Sequence, residues 1–212
     1  MDFYERYWSK ELEETGYAAS PPKWTQEQLT RLTGIIHPFC HGDVLDIGCG
    51  DGTFTAQLNM LSEVKKVVGV EVAQRAISCA RQKFPEINFQ VMSGEKLSFA
   101  DESFNFISAV EVVEHVLDVE RLFLEFNRVM KIGGKLFITT TDFNWPKKAI
   151  IAMFFWDKYF NPTNPHIRFF TKATLRNLLE KTGFQIIKYL WNGSYLGIMP
   201  KGQIVIAKKI KK

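Results

Sequence analysis

From residue 43 onward, short apolar runs that suit strands alternate with stretches that suit helices, and this rhythm constrains the fold more than any other feature. Val44-Leu45-Asp46-Ile47 reads as a short buried strand, with 53–61 as the helix after it. Lys66–Glu71 is a second strand, and the helix over Ala73–Lys83 stops before Pro85. Ile87–Val91 alternates as a third strand, and Phe104–Val110 reads as a fourth. A helix around 118–130 is expected to end at Gly133-Gly134, ahead of a fifth strand over Lys135–Thr140. Repeated β-α units of this kind imply an α/β fold: a parallel sheet with right-handed crossovers and helices on both faces.

Both flanks depart from the rhythm. After the fifth strand, residues 145–160 form an aromatic-rich insertion. Thr171–Lys181 then reads as a helix closed by Gly183. Phe184–Trp191 and Gln203–Lys208 look like two last strands forming an antiparallel hairpin at the sheet edge, which brings the expected sheet to seven strands. At the start, residues 1–24 are aromatic and charged and end at Ser20-Pro21-Pro22, which breaks any helix there. Thr25 with Glu27-Gln28 resembles a capped helix start, and Leu29, Leu32, Ile35 and Ile36 continue as a helical stripe. The expected division is an N-terminal helical cap over 1–40 and one domain over 41–212, with an aromatic lid insertion at 145–166.

Composition narrows the function classes. With 212 residues, 46% hydrophobic and 24% charged, the chain is globular. Its 27 basic and 23 acidic residues leave a net charge of +4, too mild to call for DNA and a poor match for RNA. The basic run Lys208–Lys212 reads as a solvated tail. Cys40, Cys49 and Cys79 show no CxxC spacing, which excludes a disulfide framework and a zinc knuckle and fits a reducing cytosol. The first residues do not resemble a signal peptide, and no stretch nears the ~20 apolar residues a spanning helix needs. A cytoplasmic location is expected.

The first strand runs into Asp46-Ile47-Gly48-Cys49-Gly50-Asp51-Gly52. Three glycines at every second position allow a tight turn and a close approach of backbone to ligand. In a parallel sheet such a loop lies at the carboxyl edge, where ligands bind. Glu71 ends the second strand beside it and can accept both hydroxyls of a ribose. The dinucleotide fingerprint needs its third glycine one residue later, where Thr53 stands. That favours S-adenosylmethionine (SAM), which has a ribose and no pyrophosphate, over NAD.

On these residues the sequence resembles the class I SAM-dependent methyltransferases. Val44–Gly52 matches their first motif, Glu71 their ribose acid, Phe99–Ile107 their fourth-strand region, and Arg128–Leu136 the approach to their fifth strand. The resemblance covers about residues 40–210. It implies a Rossmann-like, doubly wound sheet with SAM as cofactor. The contacts it implies come from Asp46, Gly48, Cys49, Gly50, Asp51, Gly52, Glu71 and Val72, then Met92, Ser93, Gly94 and Glu95, then Val110 and Glu111. Within Met92–Phe99, Ser93 stands where the family often carries the acid that takes the adenine amino group. Adenine is then left to Ser93, to backbone groups, or to Glu95.

The fourth strand runs into Val110-Glu111-Val112-Val113-Glu114-His115, where the methyl group of SAM belongs. A helix beginning there would put Glu111, Glu114 and His115 on one face, a set able to bind a divalent cation. This Glu-x-x-Glu-His resembles two methyltransferase groups, one acting on catechol-type intermediates of ubiquinone synthesis and one on the terminal 2′-hydroxyl of small RNAs. The resemblance implies a metal, Mg²⁺ as the first candidate, held by Glu111, Glu114, His115 and a later histidine matched here by His166. Relatives with the same residues and no metal leave a second reading, in which His115 acts as base and Glu114 fixes the turn. Cys49 reads as a small spacer, while His37 and His41 have no partner in the sequence.

The insertion holds Trp145, Phe154, Phe155, Trp156, Tyr159 and Phe160 among three lysines. It suits a lid over an apolar or aromatic acceptor, an interfacial helix at a membrane, a dimer contact or plain core. Tyr4, Tyr7, Trp8, Tyr17 and Trp24 are candidates for the opposite wall. The expected activity is methylation of an oxygen on a small or lipid-like acceptor. Terminal 2′-O-methylation of RNA and a non-catalytic SAM-binding subunit are the alternatives.

Overall fold

The structure, a computed structural model, describes residues 25–160, 166–195 and 199–211. The expectations for residues 1–24, including the proposed aromatic wall, lie outside the described residues.

Helix α1 (Gln26–Ile36) starts at a capping box, in which Thr25 Oγ1 accepts from Gln28 N and Gln28 Oε1 accepts from Thr25 N. It buries Leu29, Leu32 and Ile36 along one stripe. Strand β1 (Gly42–Ile47) leads through the glycine loop into α2 (Thr53–Asn59). β2 (Val64–Glu71), α3 (Gln74–Lys83), β3 (Asn88–Val91) and β4 (Phe104–Val110) follow. A single 3₁₀ turn at Val113–His115 leads to α4 (Val119–Val129) and β5 (Met130–Thr141). The insertion folds as α5 (Trp145–Phe154) and α6 (Trp156–Tyr159), and α7 (Lys172–Lys181) precedes β6 (Phe184–Tyr195) and β7 (Met199–Lys209).

The seven strands form one sheet in the order β3-β2-β1-β4-β5-β7-β6. The first five are parallel, and β7 runs antiparallel between β5 and β6. This is the Rossmann-like doubly wound sheet with its antiparallel edge hairpin. Alternation along each strand divides the core into two layers. Leu45 and Ile47 face one layer with Phe123 and Phe126 of α4 and Leu175 and Leu179 of α7. Val44 faces the other, with Leu32 and Ile36 of α1, Leu58 of α2 and Ile77 of α3.

One boundary differs from the sequence expectation. Gly133-Gly134 do not end α4; that helix stops at Val129, and both glycines lie inside β5. The pairing of β5 with β4 shifts register there, between Phe104 and Phe106. Gly133 has φ +81°, and a Cβ on Gly134 would stand 2.9 Å from Asn105 O. The glycines therefore serve a bulge, not a helix stop. The end of α4 is capped from a distance: the buried Lys209 Nζ donates to Asn127 O at 2.7 Å and Met130 O at 2.8 Å.

Candidate functional site

The sheet order reverses between β1 and β4, which leave in opposite directions from the middle of the sheet. A crevice at the carboxyl ends of the parallel strands is where such a sheet binds ligands. Most of the sequence-predicted site residues fall on this edge: 48–52 after β1, Glu71 and Val72 at the end of β2, 92–95 after β3, and 110–115 at and after β4, while Asp46 lies inside β1 and His166 comes from the segment after the insertion.

The glycine loop is held by its own strand neighbours. Gly48 N and Cys49 N both donate to Val70 O, at 2.8 and 3.0 Å. Gly48, Gly50 and Gly52 have φ of +67°, +52° and +81°, a region that glycine enters without penalty. Two of them are also packed against protein: a Cβ on Gly48 would stand 2.4 Å from Val112 Cγ2, and one on Gly52 would stand 2.6 Å from the Phe89 ring. Beneath the loop, buried Asp46 accepts from Thr55 Oγ1 and Ser108 Oγ, each at 2.6 Å. Burial outweighs these two bonds and pushes the Asp46 carboxyl up to about 6. Asp51 is equally buried, bonded to Thr53 N at 3.1 Å and paired with Lys83 Nζ at 2.7 Å. Both acids brace the loop from below. Buried Cys49 has its thiol pushed well above the usual range, first by burial and then by Asp46, which fits a spacer and not a nucleophile.

Glu71 closes β2 with Oε1 accepting from Val72 N at 2.8 Å and Ala73 N at 3.1 Å, which fixes its carboxylate beside the loop. Met92 N donates to Glu71 O at 2.9 Å, tying the segment after β3 to the same corner. In that segment Ser93 Oγ accepts from Glu95 N at 3.2 Å. Glu95 Oε1 accepts from Asp118 N at 2.6 Å, just before α4. Gly94 packs tightly, since a Cβ there would stand 2.6 Å from Leu122 Cδ1.

After β4 the expected helical face does not form. Glu111 takes a left-handed φ of +53°, and only the short 3₁₀ turn follows. The cause is a double grip from β5. Glu111 N donates to Thr139 O at 3.0 Å and Oγ1 at 3.1 Å, while Thr139 Oγ1 donates to Glu111 Oε1 at 2.7 Å. A non-glycine residue held in this conformation stores strain of a kind found at functional sites.

Glu114 is fully buried. Its Oε2 accepts from Thr140 Oγ1 at 2.9 Å, and its Oε1 accepts no hydrogen bond. Burial first, and the neighbouring Glu111 carboxylate second, push the Glu114 carboxyl well above its usual range. Glu114 O accepts from Ile167 N and Arg168 N, both at 3.0 Å, which pins the segment after the insertion onto the 3₁₀ turn. The rings of His115 and His166 consequently meet. Ligand atoms of Glu114, His115 and His166 all lie within 4.8 Å of one another. Glu111 is not part of this group, so the four-residue metal set expected from the sequence reduces to three. A buried carboxylate with one oxygen lacking a donor, in a group whose ligand atoms lie within 4.8 Å of one another with two imidazoles, fits a divalent cation.

Thr139 and Thr140 were not singled out by sequence reasoning. The signal was present: three threonines in a row, Thr139–Thr141, end a strand at the ligand edge. Lys147 was read only as part of a lysine-aromatic mix. It is buried, with Nζ donating to Lys201 O at 3.2 Å and lying 5.5 Å from the Phe143 ring centroid. Burial lowers its pKa, against the opposing pull of Asp142 and Glu111.

A glycine loop at the switch point of a doubly wound sheet, with an acid at the end of β2 and a polar cluster after β4, defines a site for a nucleoside-bearing ligand with a reaction centre beside it. Residues 3–189 match the family described as a methyltransferase domain, and the chain belongs to that family, as a class I SAM-dependent methyltransferase domain. It is 31% identical over 159 residues to the ubiquinone biosynthesis O-methyltransferase of Bartonella quintana (strain Toulouse), covering 72% of this chain and 64% of that protein. It is 29% identical over 170 residues to the O-methyltransferase cnsE of Penicillium expansum, covering 76% of this chain and 59% of that protein. The chain thus spans less than two thirds of the length of these curated relatives. Among solved structures, a SAM-dependent methyltransferase from Methanosarcina mazei superposes with a TM-score of 0.69 at 25% identity, over 84% of this chain and 98% of that one.

Proposed function

We propose that this chain transfers the methyl group of SAM to an oxygen of a small or lipid-like acceptor. The carrying observation is the Glu114–His115–His166 cluster at the ligand edge, since oxygen is the acceptor that must lose a proton as it attacks. The O-methyltransferase relatives support the same reading.

SAM supplies an electrophilic methyl group on a sulfonium, and the residues around it orient the reactants. Glu71 takes the ribose hydroxyls, and the glycine loop lets the cofactor lie against backbone. Ser93 and the 92–95 backbone meet the adenine, because Glu95 is engaged with the start of α4. Glu114, His115 and His166 would hold a divalent cation, Mg²⁺ first, which would lower the pKa of an acceptor hydroxyl. Thr140 orients the Glu114 carboxylate for this, and with no cation bound His115 receives the acceptor proton instead. Thr139 keeps Glu111 in its turn at the end of β4. Methyl transfer is an in-line displacement, so this positioning does most of the work.

The test is to incubate the full chain with isotopically labelled SAM and a panel of catechols, phenols and hydroxylated lipids, with Mg²⁺ present. Transfer of label to an oxygen, lost when His115 is replaced by Ala, supports the reading. Label transferred to nitrogen or carbon with His115→Ala fully active refutes it.

A further inference from the structure

The last turn of α3 carries two basic residues, Arg81 and Lys83, a placement that by itself would only complement the negative end of a helix. Both head groups reach past the helix. The Arg81 guanidinium donates twice to Phe89 O in β3, from Nε at 3.1 Å and from Nη2 at 2.7 Å. Lys83 Nζ crosses to the glycine loop and meets Asp51 Oδ2 at 2.7 Å. Between these two reaches the same turn packs against the loop directly: a Cβ on Gly52 would stand 3.1 Å from Ala80 Cβ and 2.6 Å from the Phe89 ring. One turn of helix is thus fastened both to the glycine loop after β1 and to the strand that leads into 92–95.

The two reaches differ in kind. Phe89 O is a neutral acceptor, whereas Lys83 and Asp51 are a charge pair whose side chains are 18% and 2% exposed. A carboxylate so far from water needs its cation, and taking the cation away costs more than the pair itself gains. Asp51 stands between Gly50 and Gly52, whose φ values are +52° and +81°. Its Oδ1 accepts from Thr53 N, the first residue of α2. Glycines have little conformational preference of their own, so the shape of the loop here depends on where the Asp51 carboxylate is held. We propose that Lys83 is a positioning residue for SAM, acting through Asp51 and not by contact with the cofactor, and that it keeps the loop in the shape that receives it. This role rests on SAM lying at the glycine loop and is independent of the acceptor and of any cation at the reaction centre.

The test is calorimetric titration of the full chain and its variants with S-adenosylhomocysteine, beside amide hydrogen exchange. Lys83→Met should weaken binding about tenfold or more, because the loop must rearrange to bring the Asp51 carboxylate to water. Exchange at residues 50–53 should quicken while β4 keeps its protection. Lys83→Arg retains a cation and should restore most of the lost affinity. Lys83→Met combined with Asp51→Asn removes both charges and leaves an oxygen to accept from Thr53 N. That double variant should bind more tightly than Lys83→Met alone, the opposite of what two independent losses would give. If Lys83→Met alone does not fold, the double variant should fold and bind. Wild-type affinity in Lys83→Met, or a double variant no better than the single one, overturns the proposal. So does exchange quickened equally across the sheet, which would make the pair a support of the whole fold. A wild-type chain that does not bind S-adenosylhomocysteine would instead remove SAM from the glycine loop, and the role of Lys83 with it.

Discussion

The rings of His115 and His166 stand edge to face, with centroids 4.7 Å apart and planes at 76°. One belongs to the turn after β4 and the other to the segment that follows the aromatic insertion. The paired bonds from Ile167 N and Arg168 N to Glu114 O hold them in this relation. A reaction centre assembled from two distant segments can be disabled from either side.

His166→Ala should therefore lower turnover by about 100-fold or more, the scale of a lost acid–base or metal-positioning group. SAM affinity should be unchanged, because the cofactor corner is built from other segments. Steady-state kinetics beside calorimetry separates the two effects. Excess chelator should reproduce the loss in the wild type. Full activity in chelator would leave His115 as a plain general base and remove the cation from the proposal.

Glu71→Ala should weaken SAM binding by ~1.5–3 kcal/mol, the usual worth of hydrogen bonds to a charged group. The carboxylate is already fixed by Val72 N and Ala73 N, so its loss removes a prepared contact and not a mobile one. Calorimetric titration of the variant with SAM measures it, and an unchanged affinity would place the ribose elsewhere.

Asp46 makes stability depend on pH. Its folded value of about 6 lies above the ordinary 3.8, so between these the native state holds a proton that the unfolded chain has released. The stability linked to Asp46 is then present in full below about pH 4 and lost as pH rises to about 6, a difference of about 3 kcal/mol. Asp46→Asn cannot ionise and should lack this component. Urea unfolding of both proteins at pH 4 and pH 7 should show the variant gaining on the wild type at the higher pH. A difference independent of pH would contradict the assignment.

Gly48→Ala should destabilise the fold by ~1–2 kcal/mol through its left-handed φ, with a further cost from the clash with Val112. Adding Val112→Ala should recover the steric part and leave the backbone part, a coupling that a double-mutant cycle reads directly. Simple additivity of the two substitutions would mean that the loop moves away from Val112.

The parallel part of the sheet was legible because each of its strands is an apolar run bounded by turn residues, as Val44–Ile47 and Phe104–Val110 show. The antiparallel hairpin was legible in the same way. The Gly133-Gly134 pair was misleading, because a glycine pair signals a break in local geometry without saying whether a helix stops or a strand bulges. Glu111, Glu114 and His115 were singled out from spacing and His166 from the family resemblance, and the spacing argument assumed a helix at 111–115. That assumption failed on contacts no local pattern carries: the grip of Thr139 on Glu111 comes from a strand far along the chain. Burial of Lys147 with tryptophans left outside was equally hidden, because composition alone suits a lid, a core or an interface.

The sheet order carries a consequence for how the chain comes together during synthesis. β6 leaves the ribosome before β7, yet β7 is the strand that lies between it and β5. Until β7 has emerged, β6 has no neighbour to pair with, and β5 keeps one ladder of unpaired backbone groups. The buried ammonium of Lys209 arrives at the end of β7, and only then does it reach the Asn127 and Met130 carbonyls at the end of α4. Vectorial folding of this domain therefore has a late, all-or-none step: a nascent chain halted at Tyr195 carries two sticky strand edges, and a few more residues convert them into a closed sheet.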